Sequence, residues 1–381
     1  MPGTGAPAPT PVPMPPPIRR PGDRRGSPIP TRGLIVTRIM ELRKRRSLMI
    51  ALIVVNIGLP TIFLLVRLLA HAFAPHTYGP AGGYDIFAIL VAGLMYTFGF
   101  IVAATLGCTA GSVDLTEGMF RHLVVTGRSR LALYLARIPA GLAIIVPLVA
   151  IGFTIVCAVC VYSAPTTINY QGVTVPAGLT RTGFENWAAD HAKPVICNFP
   201  YNGPIPANVP CRPGPNGSAP SAGPRQPAPA TLKAQAIKMA RQDYSGYTAI
   251  FLYPSNSLMI KTGLWIELEA AIGFIVGLGL ASLMGQRTVP VIFMIVLEII
   301  LTPLFSTHHI PHLQNLQRAV VGLAMYHLEP GGLPPLFAGV VGGGTRSQLL
   351  PESTTTAVVV ITVWLVGWTI LGTWRMITRD A

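Results

Sequence analysis

Apolar residues gather into six runs, at about 47–70, 86–108, 138–163, 263–285, 288–307 and 355–374, separated by polar or basic stretches. Each run is close to the ~20 residues that a helix needs to cross ~30 Å of hydrocarbon. Lipid offers no partner to an open backbone group, so each run must close its hydrogen bonds on itself. Pro60, Pro147, Pro290 and Pro303 fall inside runs, which membrane helices tolerate. The pattern predicts an all-α integral membrane protein with six transmembrane helices. Ala70, His71 and Ala72 resemble a cleavage site after the first run. That run is nevertheless too long for a signal sequence, contains Arg67 and follows a leader of more than forty residues, so it reads as a spanning helix.

The stretches between runs differ in kind. Residues 1–30 are rich in Pro, Gly and Ala, with Arg19, Arg20, Arg24 and Arg25 scattered among them, and are expected to be a disordered tail. Over 31–46, Ile35, Ile39 and Leu42 share one helical face, while Arg38, Arg43, Lys44, Arg45 and Arg46 supply a basic face or end. This suits a helix in the membrane interface, drawn to anionic lipid; a solvated basic linker is the alternative. Residues 164–262 form a long polar segment rich in Pro, Gly, Ala and Asn. Within it, Leu232, Ala236, Met239 and Ala240 predict a short helix over 231–247, and 200–230 reads as loop. Over 308–354, Leu313, Leu316, Val320, Leu323 and Tyr326 suggest an amphipathic helix dipping back towards the membrane.

Composition agrees with lipid as the solvent. Of 381 residues, 51% are hydrophobic and only 11% charged, with a mean hydropathy of +0.53, whereas soluble domains carry about 25% charge. The net charge of +14 would suit nucleic acid, but its distribution argues otherwise. With the N-terminus inside, the cytosolic segments 1–46, 109–137, the turn at Arg287 and 375–381 hold seventeen of the 28 Lys and Arg. The acids there are Asp23, Glu41, Asp114, Glu117 and Asp380, and the first outside loop, 71–85, has no Lys or Arg. This positive-inside bias accounts for the charge through membrane lipid, without nucleic acid, and places both termini in the cytosol, as for a multi-pass protein of a bacterial plasma membrane. Residues 164–262 and 308–354 are then extracytoplasmic.

Polar residues inside runs are the first candidates for function. Glu298 lies mid-run; it either faces a substrate path, or pairs with Arg67 or Arg287, or is neutral and hydrogen-bonded to a neighbouring helix. Glu267 and Glu269, near the outer end of the fourth run, are expected to face an aqueous vestibule, and Asn56 to bond between helices. Cys108, Cys157 and Cys160 belong to apolar runs as packing residues. Cys197 and Cys211 lie in the polar segment, where an extracytoplasmic location would permit a disulfide; two cysteines form no diagnostic framework. His308, His309 and His312 cluster, but Pro311 breaks the helix and no acid or Cys completes a metal set. No phosphate-cradling glycine loop and no nucleophile or metalloprotease motif occurs, so the chain reads as non-catalytic.

The most informative segment is 112–130. Glu117 and Gly118 precede Arg121, an apolar Leu123, Val124 and Val125, then Gly127, Ser129 and Arg130 before the third run. This describes a short amphipathic helix, a glycine break and a second helix that Ser129 can cap. The pattern resembles the coupling segment of ABC-2 type ABC transporter permeases, and the interfacial helix and six-span layout resemble them too. The resemblance implies that Glu117, Gly118, Arg121, Gly127, Ser129 and Arg130 form or orient contact with a separate cytosolic ABC ATPase subunit, which carries the ATP and Mg. It also implies a second permease subunit, as a homo- or heterodimer, and export. One departure stands out: the family often carries its larger outside element between spans five and six, whereas the longest here lies between spans three and four. Two rival readings are a secondary transporter using Glu298 as an ion site, and a membrane interaction or immunity protein whose outside segment binds a partner.

Overall fold

The computed structural model describes residues 29–74, 80–116, 129–199, 229–249, 254–305, 317–331, 333 and 352–378. Among these residues five helices are long and apolar enough to cross a membrane: α2 (Arg46–Phe73), α3 (Tyr84–Val113), α4 (Arg130–Tyr162), α8 (Asn256–Met284) and α11 (Thr354–Thr378). The run predicted over 288–307 forms a shorter apolar helix, α9 (Thr288–Leu301), continued by a turn at Thr302–Phe305. Pro147 sits within α4 without ending it. Ahead of α2, the basic stretch forms the helix α1 (Arg32–Lys44). Its expected face is turned inward, with Leu42 buried and Ile35 and Ile39 packed on neighbouring apolar clusters. Arg38 departs from the expected basic face: it is buried, and its Nη1 donates to Glu41 Oε2 at 2.6 Å. That neutralising partner within the same helix lets a guanidinium leave water.

The centre of the bundle is α8, the most buried of the five long helices, and its closest neighbour is α3. Backbone meets backbone there. A Cβ on Gly107 would overlap the Phe274 carbonyl, and one on Gly277 the Ala104 carbonyl. A Cβ on Gly111 would stand 2.6 Å from Leu278 O, and one on Gly273 2.7 Å from Phe100 O. Gly107 and Gly111 on α3 thus pack on the backbone of Phe274 and Leu278, and Gly273 and Gly277 on α8 on that of Phe100 and Ala104, the small-xxx-small spacing that lets membrane helices approach closely. α11 packs on the other side, where Gly279 lies against the Trp368 carbonyl. α8 opens with Ser255, whose hydroxyl accepts from Leu258 N at 3.2 Å, and closes on Gly285 in the left-handed region (φ 72°).

Asn56 departs from its expected interhelical bond. Its Nδ2 donates to Leu52 O of its own helix at 2.9 Å, within a π-helical turn at Val54–Gly58. What Asn56 gives α4 is its backbone, since a Cβ on Gly152 would overlap the Asn56 carbonyl.

The segment between α4 and α8 contains a small folded lobe rather than loop alone. Strands β1 (Thr167–Tyr170) and β2 (Val173–Pro176) pair antiparallel with Tyr170 opposite Val173. Gln171 (φ 52°) and Gly172 (φ 78°) make the two-residue turn, both in the left-handed region that such tight hairpins demand. Helices α5 (Arg181–Asp190), α6 (Ala192–Asn198) and α7 (Pro229–Ala249) complete it. The predicted helix over 231–247 is α7, and it buries Ala236, Met239 and Ala240 as its periodicity requires. Phe184 stacks on Tyr247 with ring centroids 4.2 Å apart, and the Tyr170 hydroxyl donates to Asp243 Oδ2 at 2.7 Å. Cys197 in α6 is disulfide-bonded, whereas Cys108, Cys157 and Cys160 are free thiols; Cys211 lies outside the described residues.

Candidate functional site

Two places bring sequence-predicted residues together. The first surrounds the segment expected to couple. Glu117, Gly118, Arg121 and Gly127 lie outside the described residues, but both flanks of that segment are seen. On the far side, Ser129 caps α4 as expected, its Oγ accepting from Ala132 N at 3.1 Å. Arg130 Nη1 donates to Ile377 O at 2.9 Å, so the last turn of α11 gains a cation where its carbonyls lack partners. On the near side, Gly111 O accepts from Arg137 Nη1 at 3.1 Å and from Ser282 Oγ at 3.5 Å. That single carbonyl ties α3, α4 and α8 together. Leu34 of α1 packs with Ala132, Leu133 and Ala136 of α4 over the same end. Helix α1 and the described flanks of the 117–128 segment therefore meet at one end of the bundle.

The second place is a polar cluster deep in the bundle. Glu298 is 5% exposed and lies in a π-helical turn, Val296–Leu301, where Thr302 Oγ1 donates to Leu297 O at 2.9 Å. Glu269 is 1% exposed, and no hydrogen bond of ordinary geometry reaches its carboxylate oxygens, though the Tyr96 hydroxyl acts on them. It was expected to face an aqueous vestibule; instead the bundle covers it. The cover includes a short buried helix, α10 (Val321–His327), which carries the expected Leu323 and Tyr326. Tyr96 of α3 stacks on Trp265 of α8 with centroids 4.6 Å apart and meets Tyr326 at 5.4 Å. Trp265 Nε1 donates to Met325 O at 2.9 Å, pinning α10 to α8. A Cβ on Gly322 would stand 3.4 Å from Glu298 Oε2, so α10 rests directly on that carboxyl.

The two glutamates act on each other electrostatically, with the Tyr96 and Tyr326 hydroxyls in the same field. Neither expected cation neutralises Glu298. Arg67 Nη2 donates to Pro80 O at 3.0 Å, and no ion pair among the described residues includes Glu298. Unpaired ionised carboxylates are costly in a dry interior, which sets these two apart from the other polar residues of the bundle. Sequence reasoning found Glu298 by its mid-run position but missed Tyr96 and Trp265. Their signal was present in the pairing of a tyrosine and a tryptophan with an acid inside apolar runs.

His308, His309 and His312 lie outside the described residues, and among the described residues no group of three His, Cys, Asp or Glu could hold a metal. Compared with known proteins, the chain matches no family model, no curated protein and no solved structure.

Proposed function

We propose that this chain is the permease subunit of an ABC transporter of the ABC-2 type, an exporter that works with a separate ATPase subunit and a second permease subunit. The observation that supports this most directly is the knot beneath residues 117–128. An amphipathic segment that receives force must deliver it to helices, and here its flanks join α3, α4, α8 and α11 through Gly111, Arg137, Ser282 and Arg130. α9 with its continuation to Phe305 is taken as the sixth crossing, about 27 Å long at 1.5 Å per residue. Six crossings return the C-terminus to the cytosolic side of a bacterial plasma membrane, where the basic excess lies. ATP and Mg belong to the partner, and this chain is not itself the enzyme.

The test is crosslinking from an introduced Cys at position 117 or 121 in native membranes, followed by sequencing of the captured chain. A polypeptide with a phosphate-binding glycine loop is expected, and Glu117→Ala with Arg121→Ala should release it while insertion persists. Capture only by impermeant reagents from the outer face would reverse the orientation and end the reading.

A second reading, an ion-coupled secondary transporter, draws on the buried pair Glu269 and Glu298. It expects transport that survives ATP depletion and stops with an uncoupler.

A further inference from the structure

Helix α1 is apolar on two opposite sides. Its inner side rests on protein, with Leu34 and Leu42 buried and Ile35 and Ile39 packed on neighbouring apolar clusters. Its outer side carries Val36 and Met40, one turn apart and 51% and 50% exposed. Arg32, Arg43 and Lys44 are exposed around them. At 3.6 residues per turn, Val36, Met40 and Arg43 fall along one line of the helix, with Arg32 and Lys44 at its borders. Among the described residues those three cations have no hydrogen-bond or ion-pair partner. Glu41, the acid of this helix, is held by Arg38 on the inner side. The Thr37 hydroxyl donates to Gly33 O of its own helix at 2.8 Å, so it adds no free donor to the outer side.

Chain continuity sets where this outer side lies. α1 ends at Lys44 and α2 opens at Arg46. Ile50, four residues into α2, is 60% exposed on a helix long and apolar enough to cross a membrane. Four residues are about 6 Å of helix, so α1 joins α2 close to the edge of the hydrocarbon. A helix at that level with an apolar line between basic side chains sinks the line to the acyl boundary and leaves the cations among the phosphates. Juxtamembrane cations gain from negatively charged lipid, and this face offers three of them with no acid beside them.

We propose that the outer side of α1, through Val36, Met40, Arg32, Arg43 and Lys44, docks on a membrane surface rich in anionic phospholipid. The face engaged is opposite to the one that the periodicity of Ile35, Ile39 and Leu42 suggests, because those residues are covered by protein. Leu34 of the same helix packs with Ala132, Leu133 and Ala136 at the start of α4, so lipid charge would bear on that end of the bundle. The proposal uses the membrane location of the chain and is independent of ATPase coupling.

The test places photoreactive benzoylphenylalanine at position 36 or 40 of the full chain, in nanodiscs of phosphatidylcholine with or without phosphatidylglycerol. Mass spectrometry then identifies what it captures. A phosphatidylglycerol adduct is expected, enriched over that lipid's share of the disc. Lys44→Gln should lower the enrichment about fivefold, the factor for one cation at an anionic surface, and Arg32→Gln with Arg43→Gln should lower it further. Capture of the two lipids in proportion to their abundance, or enrichment that ignores the lost cations, overturns the proposal. Capture of another polypeptide in native membranes, in place of lipid, also overturns it, as does an absence of any adduct, the result expected of a solvated basic linker. Should the variants not insert, discs of graded phosphatidylglycerol content carry the comparison with no cation changed, and a lipid adduct that fails to rise with that content overturns the proposal.

Discussion

The contact between α3 and α8 makes a prediction whose size follows from the geometry. In Gly273→Ala the new methyl would lie 2.7 Å from the Phe100 carbonyl oxygen, against an ordinary contact of 3.4 Å or more. The obstacle is mainly helix backbone, which has no rotamer to move. The helices must part by about 0.7 Å, and a gap of that order forfeits a quarter to a half of each dispersion well across the interface. With overpacking strain included, the expected cost is about 1–3 kcal/mol. Gly99, in α3 itself, is the internal control: a Cβ there meets nothing within 4 Å. Gly99→Ala should instead leave stability unchanged or raise it by up to about 1 kcal/mol, the difference in helix propensity. The assay is reversible unfolding of the full chain in mixed micelles with increasing denaturing detergent. Two alanines that agree within about 0.5 kcal/mol would refute backbone-on-backbone packing at the centre of the bundle.

Two further outcomes are expected. In the lobe, hydrogen bonds from Arg241 to Glu185, at 3.0 and 2.9 Å, hold that carboxyl below its ordinary value of 4.5. A lowered folded-state value adds stability above pH 4.5 that is lost as pH falls through it, so Glu185→Gln should weaken amide-exchange protection in α5 and α7 at neutral pH, with the difference vanishing in acid; a difference that persists there would contradict the ion-pair explanation. In the bundle, Glu269→Met should leave the unfolding midpoint unchanged or raise it, because a buried carboxyl with no ion-pair partner among the described residues is removed; a loss of about 3–5 kcal/mol would instead mark Glu269 as half of a buried ion pair.

Much of the spanning architecture was legible, because a long window of apolar residues admits only a helix in lipid. The Ser129 cap was legible for a related reason, since capping is local chemistry. Partnerships across the bundle were not. Arg130 meets Ile377, 247 positions away, and no periodicity announces that. The Gly107, Gly111, Gly273 and Gly277 contact did leave a sign, four-residue spacing of glycines on two runs, though spacing alone does not say which runs meet. Glu269 was misplaced because its solvent exposure depends on α10, a short helix that returns over it from far along the chain. The hairpin and the helices α5 and α6 escaped because four-residue strands and helices of about two to three turns carry too little pattern. Only the chain reversal at Gln171 and Gly172 hinted at them.

These features together bear on how force would travel. A helix pair held apart by side chains can shear, whereas α3 and α8 touch through carbonyls and have little room to slide. The 117–128 segment leaves directly from α3, a few residues beyond the Gly111 carbonyl that Arg137 and Ser282 grip. Under the proposed function, displacement at that point would carry α3 and α8 together, with α4 linked through Arg137 and α11 through Arg130. α10 follows too, since Trp265 of α8 holds its Met325 carbonyl. The helix that rests on Glu298 is thus linked, through α8, to the end of the bundle where the segment emerges. Under the proposed function, a push on that segment would be expected to reach the helix packed against Glu298 as well, through Trp265 and the α3–α8 contact.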